Sequence, residues 1–393
     1  MTQPVRVAVF VGTRADLGPL GPVIAAFDRD DDVMVDVLCG VAFGVDDLAR
    51  RLRPSGYGGG IHALAEPMTV FDEGAMLAQG ARLTDGAREL FASATYDAIV
   101  VLGDRWELLY IVPAALLANV RIVHVHGGEI TEGAIDERVR HAVTKLADAH
   151  CVASADAARR LLQMGEPDDR VHVTGAPGLD RLVEAEPYTD EELARVLGHE
   201  VVRPVGLFTY HPPTATPAAP LERWTRDALA GSLAHCGTLI VTDPGMDEGR
   251  ETILDTLDAA AREDPRIARV SALGAAYPRV LASVDAVIGN SSSGVIEAAT
   301  VGVPAVDIGT RQAGRLRAAS VVHADDALAS IEAAVRVAVA AGRRTPGEIA
   351  NPYGNGGAAH RIAAVVKDVR KYPFVKPFRD TGQDARGAQG ENA

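Results

Sequence analysis

The sequence predicts an α/β protein of two Rossmann-like domains that face a central cleft. Short runs rich in Val and Ile alternate along the chain with longer helical patterns rich in Ala and Leu. Continuous apolar runs of this kind are typical of parallel strands that helices cover on both faces. Eleven such runs exceed what one doubly wound sheet of ordinary size holds, and 393 residues suit two domains better than one.

The apolar runs and the helical patterns give the predicted elements in order. The strands are predicted over 5–12, 33–40, 98–103, 121–127, 149–154, 170–175, 204–211, 238–243, 268–274, 285–292 and 303–309. The helices are predicted over 19–28, 74–93, 106–118, 136–148, 155–164, 220–234, 248–263, 276–283, 294–301, 326–341 and 357–371. One more helix is predicted to begin after Thr189, because Glu192 follows three residues later and completes a capping box.

The boundary between the domains is predicted near residues 185–200, where this capped helix follows a polar connector. We therefore assign residues 1–186 to an N-terminal Rossmann-like domain and residues 187–373 to a C-terminal Rossmann-like domain. Residues 374–393 form a tail. Its polar, Gly-rich sequence from residue 380 onward predicts partial disorder.

Composition and charge exclude several classes of partner. The net charge is −14, which argues against nucleic acid, and no apolar run reaches the roughly 18 residues that a membrane span needs. The first apolar run lacks a basic segment and a cleavage site, so we expect a strand there and not a signal peptide. Cys39, Cys151 and Cys236 lie in apolar contexts without metal-ligand spacing, which favours reduced cysteines in the cytoplasm and no metal site.

Open α/β sheets bind their ligands at the carboxyl ends of the strands, so the residues directly after each strand are the candidates. After the first strand, Gly12 permits a tight turn and Arg14 can pair with a phosphate, although an ordinary loop has the same form. After the strand at 98–103, Asp104 is a candidate acid or base. An aspartate at this place also serves well as a helix N-cap, and the pattern leaves both roles open.

The densest group of ionisable residues follows the fourth predicted strand. Alternation along that strand predicts His124 and His126 on one face, and Glu129 follows two glycines that let the backbone approach a ligand. Asp136 and Arg140 lie four residues apart at the start of a helix. A helix cap with an ion pair worth roughly a few tenths of a kcal/mol accounts for that helix, but not for the histidines and glycines before it. We therefore favour a functional cluster.

The second half of the chain carries a predicted anion site. His211 ends a strand and is followed by two prolines, which leaves a structural or a functional role open. Gly289 and four polar residues precede a helix, where free N–H groups, the helix dipole and serine hydroxyls form a phosphate cradle; a capping run of serines is the alternative. The candidate nucleotide-binding residues are Arg14, Asp243, Asn290, Ser291, Ser292, Ser293, Gly294, Glu297 and Arg311. A phosphate cradle in one domain and acids in the other suggest a sugar nucleotide.

Seven segments of the chain together resemble a known family. In order they are GTRAD, GDRWE, HVHGGEITEGAIDERVRHAVTKLADAH, TYHP, GNSSSGVIEA, IGTRQAGR and NPYGNGGAAHRI. They are similar to the hydrolysing UDP-N-acetylglucosamine 2-epimerases of sialic-acid-type pathways, over residues 5–375. The resemblance implies a GT-B-like pair of domains, a UDP-sugar as substrate, no cofactor, and a homodimer or homotetramer.

The resemblance also implies roles for individual residues. It assigns Asp104, His126, Glu129, Asp136, Arg140 and His211 to catalysis. Asp104 and Asp136 handle the protons at C2 of the sugar, and Arg140 orients Asp136. His126 acts as a further acid or base, or orients water, and His211 stabilises the leaving phosphate.

Some positions depart from the pattern of the family. Many relatives carry Glu where this chain has His126, and a histidine there resembles the subgroup that acts on 2,4-diacetamido-2,4,6-trideoxy sugars. Non-hydrolysing epimerases usually carry a shorter H-x-E-A-G pattern, so the resemblance favours the hydrolysing branch. A GT-B glycosyltransferase would use the same phosphate cradle, but it needs only one general base and does not account for the dense cluster after the fourth strand. A UDP-sugar sensor without catalysis would lack the acids.

Overall fold

Two α/β units make up the chain in the computed structural model, which describes residues 3–70, 72–131, 135–212, 220–245 and 249–379. The first unit contains the residues up to Glu129, Ile135–Asp180 and the segment from Gly357 onward. The second contains Arg181–Gly356 together with Ile130 and Thr131. The chain therefore passes from the first unit to the second and returns to the first.

Each unit has one parallel sheet, within the described residues. The first consists of β1 (Val5–Phe10), β2 (Val33–Cys39), β3 (Ile61–Ala63), β4 (Ala98–Leu102), β5 (Arg121–Val125), β6 (Ala149–Val152) and β7 (Val171–Val173), in the order β3-β2-β1-β4-β5-β6-β7. The second consists of β8 (Val205–Thr209), β9 (Thr238–Thr242), β10 (Ile267–Val270), β11 (Ala286–Gly289), β12 (Ala305–Ile308) and β13 (Val321–Ala324), in the order β10-β9-β8-β11-β12-β13. The strand order reverses between β1 and β4 and between β8 and β11. Such switch points are where doubly wound sheets bind ligands.

Helices form most of the connections between the parallel strands. They are α1 (Arg14–Asp28), α2 (Val45–Leu52), α3 (Glu73–Ser93), α4 (Leu108–Leu117), α5 (Ile135–Leu146), α6 (Ala155–Gln163), α7 (Asp180–Val183), α8 (Asp190–Leu197), α9 (Leu221–Leu233), α10 (Arg250–Glu263), α11 (Tyr277–Ser283), α12 (Ser292–Ile296), α13 (Leu328–Ala341) and α14 (Ala358–Lys367). The chain leaves the first unit within α7.

Alternating side chains of the strands form cores on the two faces of the first sheet. Val7 and Val9 of β1 are fully buried in a cluster with residues of α1 and α14. Ala8 of β1 and Ile99 of β4 are buried in a second cluster with residues of α3, α4 and α5. This arrangement explains the continuous apolar runs in the sequence, and the prediction of two parallel-sheet α/β domains is confirmed.

The predicted elements differ from the observed ones at particular places. The short strands β3 and β13 and the helices α2 and α7 are absent from the prediction. Helix α1 begins at Arg14, before the predicted start at 19, with Pro19 and Pro22 inside it. The predicted helix at 294–301 is divided into α12 and a 3₁₀ turn, Ala298–Val301. The capping box of Thr189 and Glu192 at the start of α8 is confirmed.

The C-terminal helix α14 groups with the first unit and not with the residues that precede it. The assignment of 187–373 to one domain therefore differs from the observed division. Ile362 and Val366 are fully buried in the core beside α1. Lys367 binds Asp30 at 2.7 Å. The apolar face of α14 is buried by joining the first core, and no local pattern in the sequence specifies that partner.

The segment after α14 also packs on the first unit. Lys376 binds the buried Glu166 at 2.6 Å, and Arg121 donates 2.9 Å to the carbonyl of Tyr372. Residues 374–379 of the predicted tail are therefore ordered by these contacts, while its remainder, 380–393, lies outside the described residues. In the part of the chain that the structure describes, no helix is long and apolar enough to cross a bilayer.

Candidate active site

The functional candidates of the first unit follow β1, β4 and β5, neighbouring strands on either side of the switch point. Asp16 follows β1, Asp104 and Arg105 follow β4, and Asp136 lies at the start of α5 after β5. Parallel strands end at one edge of a sheet, so these residues converge there. Two arginines, Arg105 and Arg140, organise the acids at this edge.

Arg140 gathers acids from separate segments. Its side chain is 1% exposed, and its guanidinium forms an ion pair with Asp104, binds Glu137 at 2.8 Å and donates 2.8 Å to the carbonyl of Glu129. Burial disfavours the charge of Arg140, but the carboxylates of Asp104, Glu129 and Glu137 raise its pKa. The sequence predicts that Arg140 orients Asp136. That role stays a prediction, and the structure adds a partner from a different strand, because Arg140 also binds Asp104.

Arg105 forms a second cluster, with acids that the candidate set omits. Its Nε donates 2.7 Å to Oε1 of Glu107, whose side chain is fully buried. Burial opposes the charge of Arg105, but Glu107, Asp16 and Asp136 raise its pKa, so all three acids lie near it. The signal that could have identified Arg105 and Glu107 is their position directly after β4.

Asp16 links the start of α1 to this cluster. Its Oδ2 accepts a 2.7 Å hydrogen bond from the backbone N–H of Thr13, the N-cap residue of α1. Asp16 is 6% exposed, and burial raises its pKa to about 6 although the Arg105 guanidinium opposes this. Arg14, in contrast, is exposed at the first position of the helix. Arg14 is therefore accessible to an anionic ligand.

The strand alternation that predicts His124 and His126 on one face does not extend to His126. Strand β5 ends at Val125, and His126 adopts a left-handed backbone with φ of 64°. His124 is fully buried, and burial lowers its pKa to about 3. Its Nε2 donates 2.8 Å to the carbonyl of Gly103, and Nδ1 accepts from the hydroxyl of Thr144 at 3.2 Å. His124 is therefore a neutral structural residue.

His126 pairs with Glu129 through a hydrogen bond at its Nδ1. The side chains of His126 and Glu129 are 15% and 11% exposed. A carboxylate at Nδ1 fixes the proton there and leaves Nε2 as the atom that accepts a proton. A residue other than Gly in the left-handed region is strained, and such strain concentrates at functional sites. The pair can therefore act as a base or an acid.

In the second unit, His211 and Asn290 meet at the switch point between β8 and β11. The N–H of His211 donates 2.7 Å to Oδ1 of Asn290, and Nδ2 of Asn290 donates 2.8 Å to the carbonyl of His211. The two bonds join the loops after the two strands. They fix both backbones where a doubly wound sheet receives its ligand.

The protonation state of His211 follows from its contacts. The N–H of Gly245 donates 2.9 Å to Nδ1 of His211, so the ring proton lies on Nε2. Burial and the neighbouring Arg311 lower the pKa of His211 to about 3. His211 is therefore a neutral hydrogen-bond donor at physiological pH and not a cation.

The serine-rich loop after β11 is held by side chains from the loop after β12. The carbonyl of Asn290 accepts 3.2 Å from Nη1 of Arg311 and 3.0 Å from Nε2 of Gln312. Ser291 is the N-cap of α12, and the hydroxyl of Ser293 donates to its Oγ at 3.1 Å. The helix thus begins at Ser292 and contains Gly294, the predicted start. Gln312 is missing from the predicted set.

Glu297 lies just after α12 and already has two partners. The hydroxyl of Tyr277 donates to one oxygen, and Arg181 lies 3.7 Å from the other. Burial raises the pKa of Glu297, although Arg181 opposes this. The oxygen beside Arg181 retains the capacity to accept from a ligand hydroxyl.

Asp243, a predicted ligand contact, is held by two arginines. Its carboxylate lies 2.5 Å from Arg269 and 3.3 Å from Arg250. The structure thus brings Asp243 into an ion cluster after β9, whereas Asn290, His211 and Arg311 meet around β8 and β11. If Asp243 binds the ligand, its carboxylate does so while it is also paired with these two arginines.

The fold and these residues define a class of protein: a two-domain parallel α/β enzyme with ionisable side chains at the switch point of each sheet. Residues 63–367 match the model of the family described as UDP-N-acetylglucosamine 2-epimerase. The chain belongs to this family.

Individual relatives extend over nearly the whole chain. A UDP-N,N'-diacetylbacillosamine 2-epimerase (hydrolyzing) from Legionella pneumophila is 29% identical over 93% of this chain and 96% of its own length. The structure of a UDP-N-acetylglucosamine 2-epimerase from Rickettsia bellii has a TM-score of 0.74 at 15% identity and covers 94% of this chain and 98% of its own. A UDP-GlcNAc 2-epimerase from Neisseria meningitidis, solved bound to UDP-GlcNAc, has a TM-score of 0.66 at 15% identity and covers 92% and 99%. These structures establish the fold.

Proposed function

We propose that the protein is a hydrolysing 2-epimerase of a UDP-2-acetamido sugar. It converts the substrate and water into UDP and the free sugar with inverted configuration at C2. The observation that carries the proposal is the acid cluster around Arg140 and Arg105, because epimerisation at C2 needs proton-transfer groups for both faces of the ring. Membership in the 2-epimerase family supports the same reaction.

The reaction proceeds in two halves. A base removes the proton from C2, the bond between C1 and the phosphate oxygen breaks, and UDP leaves from a glycal with a C1–C2 double bond. Water then adds its oxygen to C1, and C2 receives a proton on the opposite face. Atoms balance without a redox cofactor. Stabilising the leaving diphosphate and positioning the two proton-transfer groups are the tasks of the protein.

The proton-transfer roles are assigned to the first unit. Asp104, oriented by Arg140, and Asp136, beside Arg105, are the acids that act at C2. His126 acts with Glu129 as a further acid or base, because Glu129 holds the proton on Nδ1 and leaves Nε2 for exchange.

UDP binding is assigned to the second unit. His211 donates from Nε2 to the departing phosphate as a neutral group. The residues assigned to the nucleotide are Asn290, Ser291, Ser292, Ser293, Gly294, Glu297, Arg311 and Asp243, and Gln312 joins them through its bond to Asn290. Glu297 accepts from the ribose hydroxyls.

A second candidate substrate is a UDP-2,4-diacetamido-2,4,6-trideoxyhexose. The family resemblance places His126 where many relatives carry Glu, and the Legionella pneumophila relative is named for UDP-N,N'-diacetylbacillosamine. There are two alternative reactions. In a non-hydrolysing epimerase the epimerised sugar stays linked to UDP, and in a glycosyltransferase the sugar passes to an acceptor.

One assay separates these possibilities. The enzyme is incubated in D₂O with UDP-N-acetylglucosamine or with the UDP-2,4-diacetamido sugar, without an acceptor, and the products are followed by NMR. The proposal predicts UDP and a free manno-configured sugar with deuterium at C2. A UDP-linked epimer identifies the non-hydrolysing reaction, and no product without an acceptor favours a transferase. The ratio of kcat/KM for the two substrates decides between them.

We propose that the protein acts in the cytoplasm. Cys39, Cys151 and Cys236 are buried free cysteines, which supports a reducing compartment such as the cytoplasm. We also propose a homodimer or homotetramer, which light scattering of the purified protein tests.

A further inference from the structure

Two buried carboxyl groups at the switch point of the first sheet have no task in the mechanism above. Glu107 follows β4 and its side chain is fully buried, and Asp16 follows β1 and is 6% exposed. Burying carboxyl groups costs free energy unless charged or hydrogen-bonded partners offset it. One oxygen of Glu107, Oε2, has no hydrogen-bond partner among the described residues. The position of Glu107 therefore needs an explanation.

Helix capping does not explain it. Glu107 is the N-cap residue of α4, but its side chain makes no capping hydrogen bond. Instead it turns towards the loop after β1. A Cβ atom added to Gly12 would overlap Oε1 of Glu107 and would lie 3.4 Å from Oδ2 of Asp16. Gly12 is thus required for space, and it lets both carboxyl groups lie against the same point of the backbone.

The partner that Glu107 does have is Arg105. The 2.7 Å bond from Nε of Arg105 to Oε1 of Glu107 fixes the base of the guanidinium. The side chain of Arg105 remains 35% exposed, and its Nη atoms have no hydrogen bond to any residue in the described ranges. Asp136 lies near enough for its charge to act on Arg105. Glu107 is therefore placed to set the orientation of a cation beside one of the proposed catalytic acids.

We infer that Glu107 is a positioning residue of the reaction, which holds Arg105 against the Gly12 loop so that its guanidinium stays beside Asp136. The inference rests on the proposed function, because it is the C2 proton transfer by Asp136 that Arg105 supports. Asp16 adds a second negative charge near Arg105. Without Glu107 the guanidinium loses the bond at Nε that fixes it, and it can leave the position in which it supports Asp136.

The test is a double-mutant cycle on the intact enzyme. Glu107→Gln keeps the size of the side chain and removes its charge, and Arg105→Met removes the cation. We expect Glu107→Gln to lower kcat and the rate of deuterium incorporation at C2 by about 10- to 100-fold, since misplacement by about 1 Å is that costly. KM changes much less than kcat. The double variant is no slower than Arg105→Met, because Glu107 acts through Arg105.

Two glycine variants test the geometry without altering a charged residue. Gly12→Ala displaces the carboxylate of Glu107 and is expected to reproduce the loss of kcat. Gly21→Ala is the matched control, because a Cβ at Gly21 meets no atom within 4 Å, and it should keep wild-type turnover. Thermal unfolding and UDP titration calorimetry establish that each variant is folded and binds nucleotide.

The outcomes are distinct. Wild-type kcat in Glu107→Gln, or effects of Glu107→Gln and Arg105→Met that add in the double variant, would overturn the inference and leave the proposed function intact. Failure of the wild-type enzyme to release UDP from either UDP-sugar would overturn the proposed function, and this inference with it.

Discussion

Arg140 and Asp104 form an ion pair although 36 residues separate them in the chain. Asp104 follows β4 and Arg140 lies in α5, so the pair joins two neighbouring connections of the first sheet. Because Arg140 is buried, its guanidinium has few other positions, and Asp104 is held in one orientation. A fixed orientation is what a group that transfers a proton requires.

The two aspartates should be needed for turnover and not for nucleotide binding. Asp104→Asn and Asp136→Asn each remove a proton-transfer group while keeping its size, and we expect kcat to fall by roughly 10²- to 10⁴-fold. The Kd for UDP, measured by calorimetry, should stay close to that of the wild type. Near-wild-type turnover in both variants would remove the assignment of these residues.

Arg140→Met should reduce both stability and activity. The substitution leaves Asp104 and Glu137 without their buried partner, and we expect a loss of about 3 kcal/mol in the free energy of unfolding. Urea unfolding measures this loss, and UDP release at a temperature where the variant is folded measures activity. Arg159→Met is the control: that arginine pairs with Asp156 but is 65% exposed, so the loss should be below about 1 kcal/mol. Equal losses in the two variants would contradict a special role for the buried pair.

Protonation of His211 should not affect the rate in the range where the enzyme is assayed, because the ring is already neutral there. Burial lowers the pKa of His211 to about 3, and Nδ1 accepts from the N–H of Gly245, so the ring stays neutral between pH 5 and 9. Replacement by Asn, which retains a donor, should keep the shape of the pH profile of kcat/KM, while replacement by Phe should lower kcat/KM at every pH. A shift of the acid limb in His211→Asn would show that the histidine is charged during the reaction.

Glu166 should stabilise the fold at neutral pH and lose this effect in acid. Although burial opposes its ionisation, hydrogen bonds from His150, Lys145 and Lys376 lower the pKa of Glu166 to about 2, from an ordinary 4.5. A depressed carboxyl pKa stabilises the folded state above the unfolded value, so the contribution is present above pH 4.5 and disappears as the pH falls towards 2. Its size is roughly 3 kcal/mol at most.

Urea unfolding at pH 7, 4 and 3 measures this contribution in Glu166→Gln against the wild type. The difference in unfolding free energy should be largest at pH 7 and shrink at each lower pH. Glu251→Gln, at a glutamate that is 83% exposed, should show no such trend. A difference for Glu166→Gln that stays constant with pH would contradict the assignment.

Local patterns in the sequence were enough to predict the architecture, because the period of the apolar residues shows which side chains are buried. The alternation of strands and helices, the two parallel sheets and the capped start of α8 at Thr189 all follow from residues within a few positions of one another. The strands β3 and β13 were not predicted, and each lies at an edge of its sheet, where it pairs with one neighbour, β2 or β12.

The sequence by itself determined the fold class and the segments that carry ionisable groups, because both depend on neighbours along the chain. Only the tertiary structure decided which charges meet. Arg140 binds Asp104, Arg105 binds the buried Glu107 beside Gly12, and α14 returns to the first core. These partners come from different strands and helices, and the order of strands in the sheet, which no local pattern contains, brings them together.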